Sequence, residues 1–433
     1  MKKKKRQTIL PFDIEPTNSA LTAHGGLLLP YEMIQSLKLD QVIDRELPGP
    51  GSGRGYKPSK FVIPMLLMFH GGGQKLDDLR EIAGEANLMK LLGVKDLPAS
   101  CTIGDWLRRM GQDGEGLAGL GQVNHYMVTE GLKRDQRKEY TLDIDAVVVA
   151  SEKAEAQWTY KKEKGYQPLL GFLFELGWLI RDEFRDGNVP AQSGIKEFLR
   201  SCCEKMIQGK RIGYFRSDSA AYQAEVINYC DKDEDTILFT ITADKDSAVI
   251  KAIKTIREEE WEPYQPDRQV AETVHTMNET KKAFRLIVQR WAKQQGDLFD
   301  PEPYHYRVIA TNRKEAPRDI IEMHNQRGQA ENYIKELVNG FGMEWMPCRE
   351  TYANAVFFRL GVLAYNLFLL MKNLILFPWY RTSTIATVRW KLYQTAGEIV
   401  HHARRTILRL AAPIDKIAQL CLFRRKCYRF AFG

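Results

Sequence analysis

The run VFFRLGVLAYNLFLLMKNLILFPW, residues 356–379, constrains the fold of this chain more than any other stretch. It reads as a helix that is apolar on every side, and such a helix has to be enclosed by other elements. Arg359, Asn366, Lys372 and Asn373 interrupt it, so it lacks the ~18-residue uncharged apolar run that reads as a membrane span. The expectation is a fully buried core helix and no membrane partner. With 433 residues, 44% of them hydrophobic, the chain can enclose such a helix. At ~100–200 residues per domain it has room for two or three domains.

Charge is concentrated at the two ends. Residues 381–433 hold eleven Lys or Arg against two acids, Glu398 and Asp415, and the opening MKKKKR adds five more bases. What lies between carries 47 basic and 53 acidic residues. Basic ends on an acidic body favour a polyanionic partner. In the tail, Trp390, Tyr393, Phe423, Tyr428 and Phe430 interleave with the bases, which favours nucleic acid over an anionic membrane. Seven scattered cysteines, without a C-x-x-C pair, point to a reducing compartment rather than to a disulfide frame or a zinc site. The N-terminal bases are followed by QTILPFD and not by an apolar stretch, so no signal peptide is expected.

Residues 1–130 read as helical. PSKFVIPMLLMFHGGG ends in three glycines, QKLDDLREIAGEANLMKLLG has helical spacing, and LPASCTIGDWLRRMGQ places Arg108 and Arg109 on a third helix. Two helices, a short turn and an arginine-bearing helix predict a helix-turn-helix. From residue 138 the pattern changes. EYTLDIDAVVVA and PLLGFLFELGWLIRDEF predict three strands, and SGIKEFLRSCCEKMIQG predicts a helix. RIGYFRSD, AAYQAEVINYC and DTILFTITA predict a strand, a helix and a strand. Residues 245–317 form a different region, with one helix and then short strands. Helices return at 318–380, and the basic tail occupies 381–433.

Two acids stand where strands should carry none. Asp145 lies within the apolar strand LDIDAVVV, and Asp218 closes FRSD at a strand-to-helix junction. Acids are disfavoured in strands and costly to bury unpaired. Asp218 can serve as a helix cap, but two such acids, with Glu331 on a later helix, suggest a carboxylate cluster. Hard divalent cations take oxygen ligands, and two of them about 3.5–4 Å apart clamp the attacking and leaving oxygens of a phosphoryl transfer.

An acid on the first strand, an acid on the fourth and a Glu on a later helix resemble the ribonuclease-H-like core of DDE transposases. YTLDIDAVVVA, RSDSAAY and HNQRGQAENYIKEL resemble, in order, the three catalytic blocks of bacterial insertion-sequence transposases with a group-1 DDE domain. HGGGQKLDDLREIAG, GYQPLLGF, ANAVFFRLGVLAYNL and HHARRTILRL resemble further parts of that family. The resemblance implies a mixed-sheet α/β core at 138–244 and 318–380, with a mostly β insertion domain at 245–317. An N-terminal helical DNA-binding domain and a basic helical tail complete the expected architecture.

The same resemblance implies an enzyme that binds terminal inverted repeats and catalyses cut-and-paste cleavage and strand transfer with two Mg²⁺ ions, Mn²⁺ being able to substitute. Its partners would be transposon-end and target DNA, and it would act as a homodimer in a synaptic complex. It would be a cytoplasmic, prokaryotic protein, associated with the nucleoid when on DNA. A DNA-binding descendant without catalysis, or another ribonuclease-H-like nuclease, is the alternative. Asp145, Asp218 and Glu331 would be the catalytic metal ligands and Arg327 a phosphate contact. In the family signature Y-x2-R-x3-E-x6-K, His324 stands where Tyr is usual and Val338 where Lys is usual. Lys335, one turn from Glu331, is the candidate substitute. Trp261 and Trp291 are candidates to hold a flipped base. Strand parity puts Asp143 and Asp145 on one face, and the family's first block favours Asp145 as the ligand. Asp143 is then expected to pair with a lysine or arginine.

Overall fold

The computed structural model describes residues 14–51, 53–94, 97–293 and 303–432; the opening MKKKKR lies outside them. The N-terminal region supplies helices α1 (Leu28–Ser36), α2 (Ser59–Gly71), α3 (Ser100–Gln112) and α4 (Glu115–Leu132). Strands β1 (Glu139–Ala146), β2 (Leu169–Leu173) and β3 (Trp178–Glu183) follow, then helix α5 (Ile195–Glu204). Next come β4 (Arg211–Ser217), β5 (Leu238–Thr242), β6 (Glu262–Gln265), β7 (Arg268–His275), β8 (Phe284–Ala292) and β9 (Tyr304–Thr311). Helices α6 (Pro317–Asn325), α7 (Gly328–Lys335) and α8 (Thr351–Leu370) precede the hairpin β10 (Gly397–His402) and β11 (Arg405–Leu410) and the last helix, α9 (Ile414–Phe432).

β1 to β9 form one mixed sheet in the order β6-β7-β8-β9-β5-β4-β1-β2-β3. β1, β4 and β5 run parallel, and every other pairing is antiparallel. All five residues of β2 are buried, as expected for a strand covered on both faces. On one face Gly171 admits α5: a Cβ there would sit 3.0 Å from Phe198 and Cys202. On the other face Phe172 meets Tyr333 of α7 and Tyr365 of α8, at 5.8 and 6.3 Å between ring centroids.

The apolar run becomes α8, long and apolar enough to cross a membrane by length and composition, yet fully enclosed by the chain's own elements. The four polar residues that interrupt the run find interior partners, which is how a buried segment tolerates them. Asn366 bonds both backbone groups of Leu179 and the Asn124 side chain. Arg359 reaches the Asp182 carboxylate at 2.7 Å. Lys372 and Asn373 donate to the carbonyls of Ser383 and Leu176.

Three features depart from the sequence reading. Helices α2, α3 and α4 pack on α8 within the same hydrophobic core as the sheet, rather than as a separate lobe. Gly111 of α3 lets the chain pass so closely that a Cβ would meet the Tyr352 carbonyl oxygen at 2.3 Å. The β insertion builds no sheet of its own: β9 pairs with β5 through Thr311↔Thr240 and Ile309↔Thr242, so it extends the core sheet. The basic tail is only partly helical. GEIVHH and RTILRL carry β-branched residues and pair as a hairpin that Leu21–Thr22 joins as a third strand, between the short helical segments Ile385–Val388 and Arg389–Tyr393 and the long helix α9.

Candidate active site

The site lies at the C-terminal ends of β1 and β4. Ile144 pairs with Ser217 in the parallel register, so Asp145 and Asp218 follow side by side. Strands disfavour acids at both positions, and the register brings the two together. Asp218 also caps a short turn, accepting a hydrogen bond from the Ala220 amide at 3.0 Å. Its two oxygens allow the cap and a second role at once. Asp145 accepts a 2.9 Å hydrogen bond from Arg327 Nη1. Burial lifts the Asp145 carboxyl to about 6, against the pull of Arg327 and with the like charge of Asp218 adding to the rise.

Asp143, two residues earlier on the same face, plays a different part. It is fully buried and bound through both oxygens to Arg216, at 2.8 Å each. Arg216 continues to the Met323 carbonyl at 2.8 Å and lies 4.1 Å over the Phe174 ring. This pair fastens α6 to the strands that carry the site.

The structure distributes the other expected residues unevenly. Arg327 reaches the site from the turn between α6 and α7. Glu331, one turn further along α7, is exposed, and among the described residues no three His, Cys, Asp or Glu side chains gather closely enough to hold a metal. His324 offers DNA no surface. It is 1% exposed, and its ring nitrogens meet the hydroxyls of Thr240 and Thr242 at 3.1 and 3.0 Å. Burial first, then Arg307, Arg327 and Arg216, push its pKa down to about 3. The buried neutral His locks α6 to β5. Lys335 is exposed but lines a separate groove of about 810 Å³ with Lys372 and Arg381.

Trp261, expected to stack on a base, is 7% exposed and lies beneath the Arg290 guanidinium at 4.1 Å. Trp291 is half-buried, with Arg268 4.7 Å above its ring. On α3, Arg108 pairs with Asp105 at 2.7 Å, while Arg109 is exposed. The buried face of that helix, Ile103, Trp106, Leu107 and Met110, belongs to the common core.

The sequence reading missed the aromatic rim of the site. A cavity of about 860 Å³ beside Asp218 is lined by Trp158, Tyr160, Gln223 and Asp244, among others. Trp158 and Tyr160 are 62% and 71% exposed. The stretch QWTYKKEKG, aromatic and basic beside the first acidic strand, carried the signal.

A family model described as transposase DDE domain, group 1, matches residues 11–423. The chain belongs to this family of DDE transposases. A solved structure of the piggyBac transposase, a synaptic complex with hairpin DNA determined by cryo-electron microscopy, is similar to it. The TM-score is 0.50 at 10% identity, over 85% of this chain and 79% of that one. At that identity the likeness shows the fold alone, a mixed α/β architecture around a large mixed sheet. No curated protein matches the chain. For a DDE transposase the two paired aspartates are the expected first members of the acidic set. Their oxygen donors, one with a carboxyl raised by burial and by its neighbour's charge, suit a divalent cation. Glu331, the third expected member, is not assembled with them.

Proposed function

We propose that this chain is a DNA transposase that binds the terminal inverted repeats of an insertion sequence, cleaves there and transfers the strand to target DNA. The observation that carries the reading is the juxtaposition of Asp145 and Asp218 at the ends of adjacent parallel strands, in a member of the DDE family. The order β3-β2-β1-β4-β5, with β2 reversed, supports a ribonuclease-H-like core. In this reading 138–244 and 318–380 are the catalytic halves and 245–317 the insertion.

Asp145 and Asp218 would hold a divalent cation, Mg²⁺ or Mn²⁺, which when bound supplies Lewis-acid stabilisation of charge at the phosphorus. The chain's own residues do the rest. Asp143 and Arg216 fix the strand ends and α6. Arg327 holds its charge beside the carboxylates, where a phosphate would lie. Trp158 and Tyr160 offer apolar faces to unpaired bases at the cavity mouth. The piggyBac complex contains hairpin DNA in a synaptic assembly, and we extend a duplex DNA partner and a homodimeric working state to this chain. Seven unpaired thiols support a cytoplasmic protein that joins the nucleoid on DNA.

A second reading, a DNA-binding descendant without catalysis, is favoured by one observation: Arg327 occupies Asp145 while Glu331 stays outside. The full chain, incubated with Mg²⁺ and a linear duplex carrying the inverted repeats that flank its gene, decides between them. End cleavage followed by joining to a second duplex is the expected result. Binding without cleavage would leave the second reading, and cleavage without joining would point to another ribonuclease-H-like nuclease.

A further inference from the structure

The insertion does more than lengthen the sheet. Along one cross-strand row Val270 pairs with Gln289 and Gln289 with Arg307. Arg268, two residues before Val270, shares that face. The registers that run through β9, β5 and β4 place this face with Thr242, Thr240, Arg216 and Asp143, the side on which α6 lies. Asp145, two residues from Asp143, faces the same way. Arg268, Gln289 and Arg307 thus stand on the Asp145 side of the sheet, and Arg327 reaches Asp145 from the turn after α6.

Three arginines converge here with little to neutralise them. Arg307 donates to the neutral Asn325 side chain at 2.7 Å. The nearest carboxylate to Arg268, Asp267, is 4.0 Å away. Arg327 is matched by Asp145. Burial, then the like charges of Arg327 and Arg268, depress the Arg307 pKa. A donor here also lacks a partner: Arg268 Nε makes no hydrogen bond among the described residues, on a side chain that is 34% exposed. Donors held this way, with positive charge in excess, are what an anion completes.

We propose that Arg268 and Arg307, with Arg327, form a binding site for backbone phosphates of the DNA held at the Asp145 site. The inference rests on the transposase reading and adds to it that the insertion grips the substrate by its backbone. Phosphate contacts of this kind fix register and carry no sequence information.

The test uses the full chain and the double variant Arg268→Gln/Arg307→Gln. Binding to a random-sequence 40-base-pair duplex is followed by fluorescence anisotropy across a salt series. Two lost phosphate contacts should lower the log–log salt slope by about 1.8 and weaken binding roughly tenfold or more per arginine. Melting is then measured in inorganic phosphate and in chloride of equal ionic strength. Phosphate should raise the melting temperature of the wild type more than that of the variant, and the variant should melt no lower in chloride because it has shed like-charge repulsion. An unchanged slope, or a phosphate-specific rise that survives in the variant, overturns the proposal. If the double variant does not fold, Arg268→Gln alone, at a side chain 34% exposed, carries the test with half the slope change. A wild type that binds and cleaves while the variant binds with the same slope rejects only this site; a wild type that binds no duplex rejects the transposase reading itself.

Discussion

Replacing Asp143 and Asp145 by asparagine, one at a time, is expected to move stability in opposite directions although both sit on one face of β1. Asp143 neutralises Arg216, whose side chain is 2% exposed. Its loss leaves a buried guanidinium without a counter-charge, which costs about 3–5 kcal/mol. Burial raises the Asp143 carboxyl as well, but Asp145 differs in its partner, since the Arg327 side chain is 22% exposed and can be hydrated once unpaired. The Asp145 carboxyl is raised from 3.8 to about 6, so at neutral pH its charge opposes folding by as much as about 3 kcal/mol. That figure already includes the pull of Arg327; burial of the amide offsets part of it, so the net gain of Asp145→Asn is about 1–2 kcal/mol. Urea unfolding at pH 7.5, followed by circular dichroism, measures both. Equal stabilities for Asp143→Asn and wild type, or an Asp145→Asn protein less stable than Asp143→Asn, would refute the assignment of one aspartate to structure and the other to chemistry.

Acid should weaken the fold before most carboxylates titrate. Burial holds His70 and His324 near 3, whereas the unfolded chain binds their protons below about 6.5. Their contribution is therefore complete above about 6.5 and is lost as pH falls toward 3. At pH 5 the two together have forfeited ~4 kcal/mol, and His324→Gln should halve the dependence; a urea midpoint that is flat from pH 7.5 to 5 would contradict this. Trp158→Ala should weaken DNA binding by about 1–3 kcal/mol if a base stacks there, with no loss of thermal stability at so exposed a position; unchanged affinity would remove Trp158 from the site. Glu331→Gln should abolish end cleavage if α7 brings its carboxylate to the aspartates on DNA, and leave cleavage intact if the resting arrangement is the working one.

The sequence disclosed the site's acids more readily than its surroundings. Asp145 and Asp218 were legible because a carboxylate in an apolar strand has no cheap structural reason. Strand parity anticipated that Asp143 would face the same side, and its partner proved to be Arg216. The buried α8 was legible from composition, since no lipid or solvent face can be drawn on it. What local pattern could not supply was pairing between distant elements. Nothing in YHYRVIATN says that it will join DTILFTITA and not close a sheet of its own. Nothing in α3 says that its apolar face belongs to α8. The hairpin at 397–410 was hidden for another reason: its turn is Ala403-Arg404, both at positive φ and neither a glycine, so the usual turn signal is missing. His324 and Trp261 were misplaced because polar and aromatic residues near a catalytic motif read alike whether they face DNA or the core; only burial separates them.

The most direct test of the central claim compares end cleavage by the wild type, Asp145→Asn and Asp218→Asn, with Mg²⁺ or Mn²⁺ and a duplex carrying the element's own ends. Both variants should bind that duplex as tightly as the wild type and cleave it at least about 100-fold more slowly, the equivalent of ~3 kcal/mol of lost charge stabilisation. Either variant cleaving at the wild-type rate would contradict the claim that the paired aspartates at the ends of β1 and β4 are the catalytic centre.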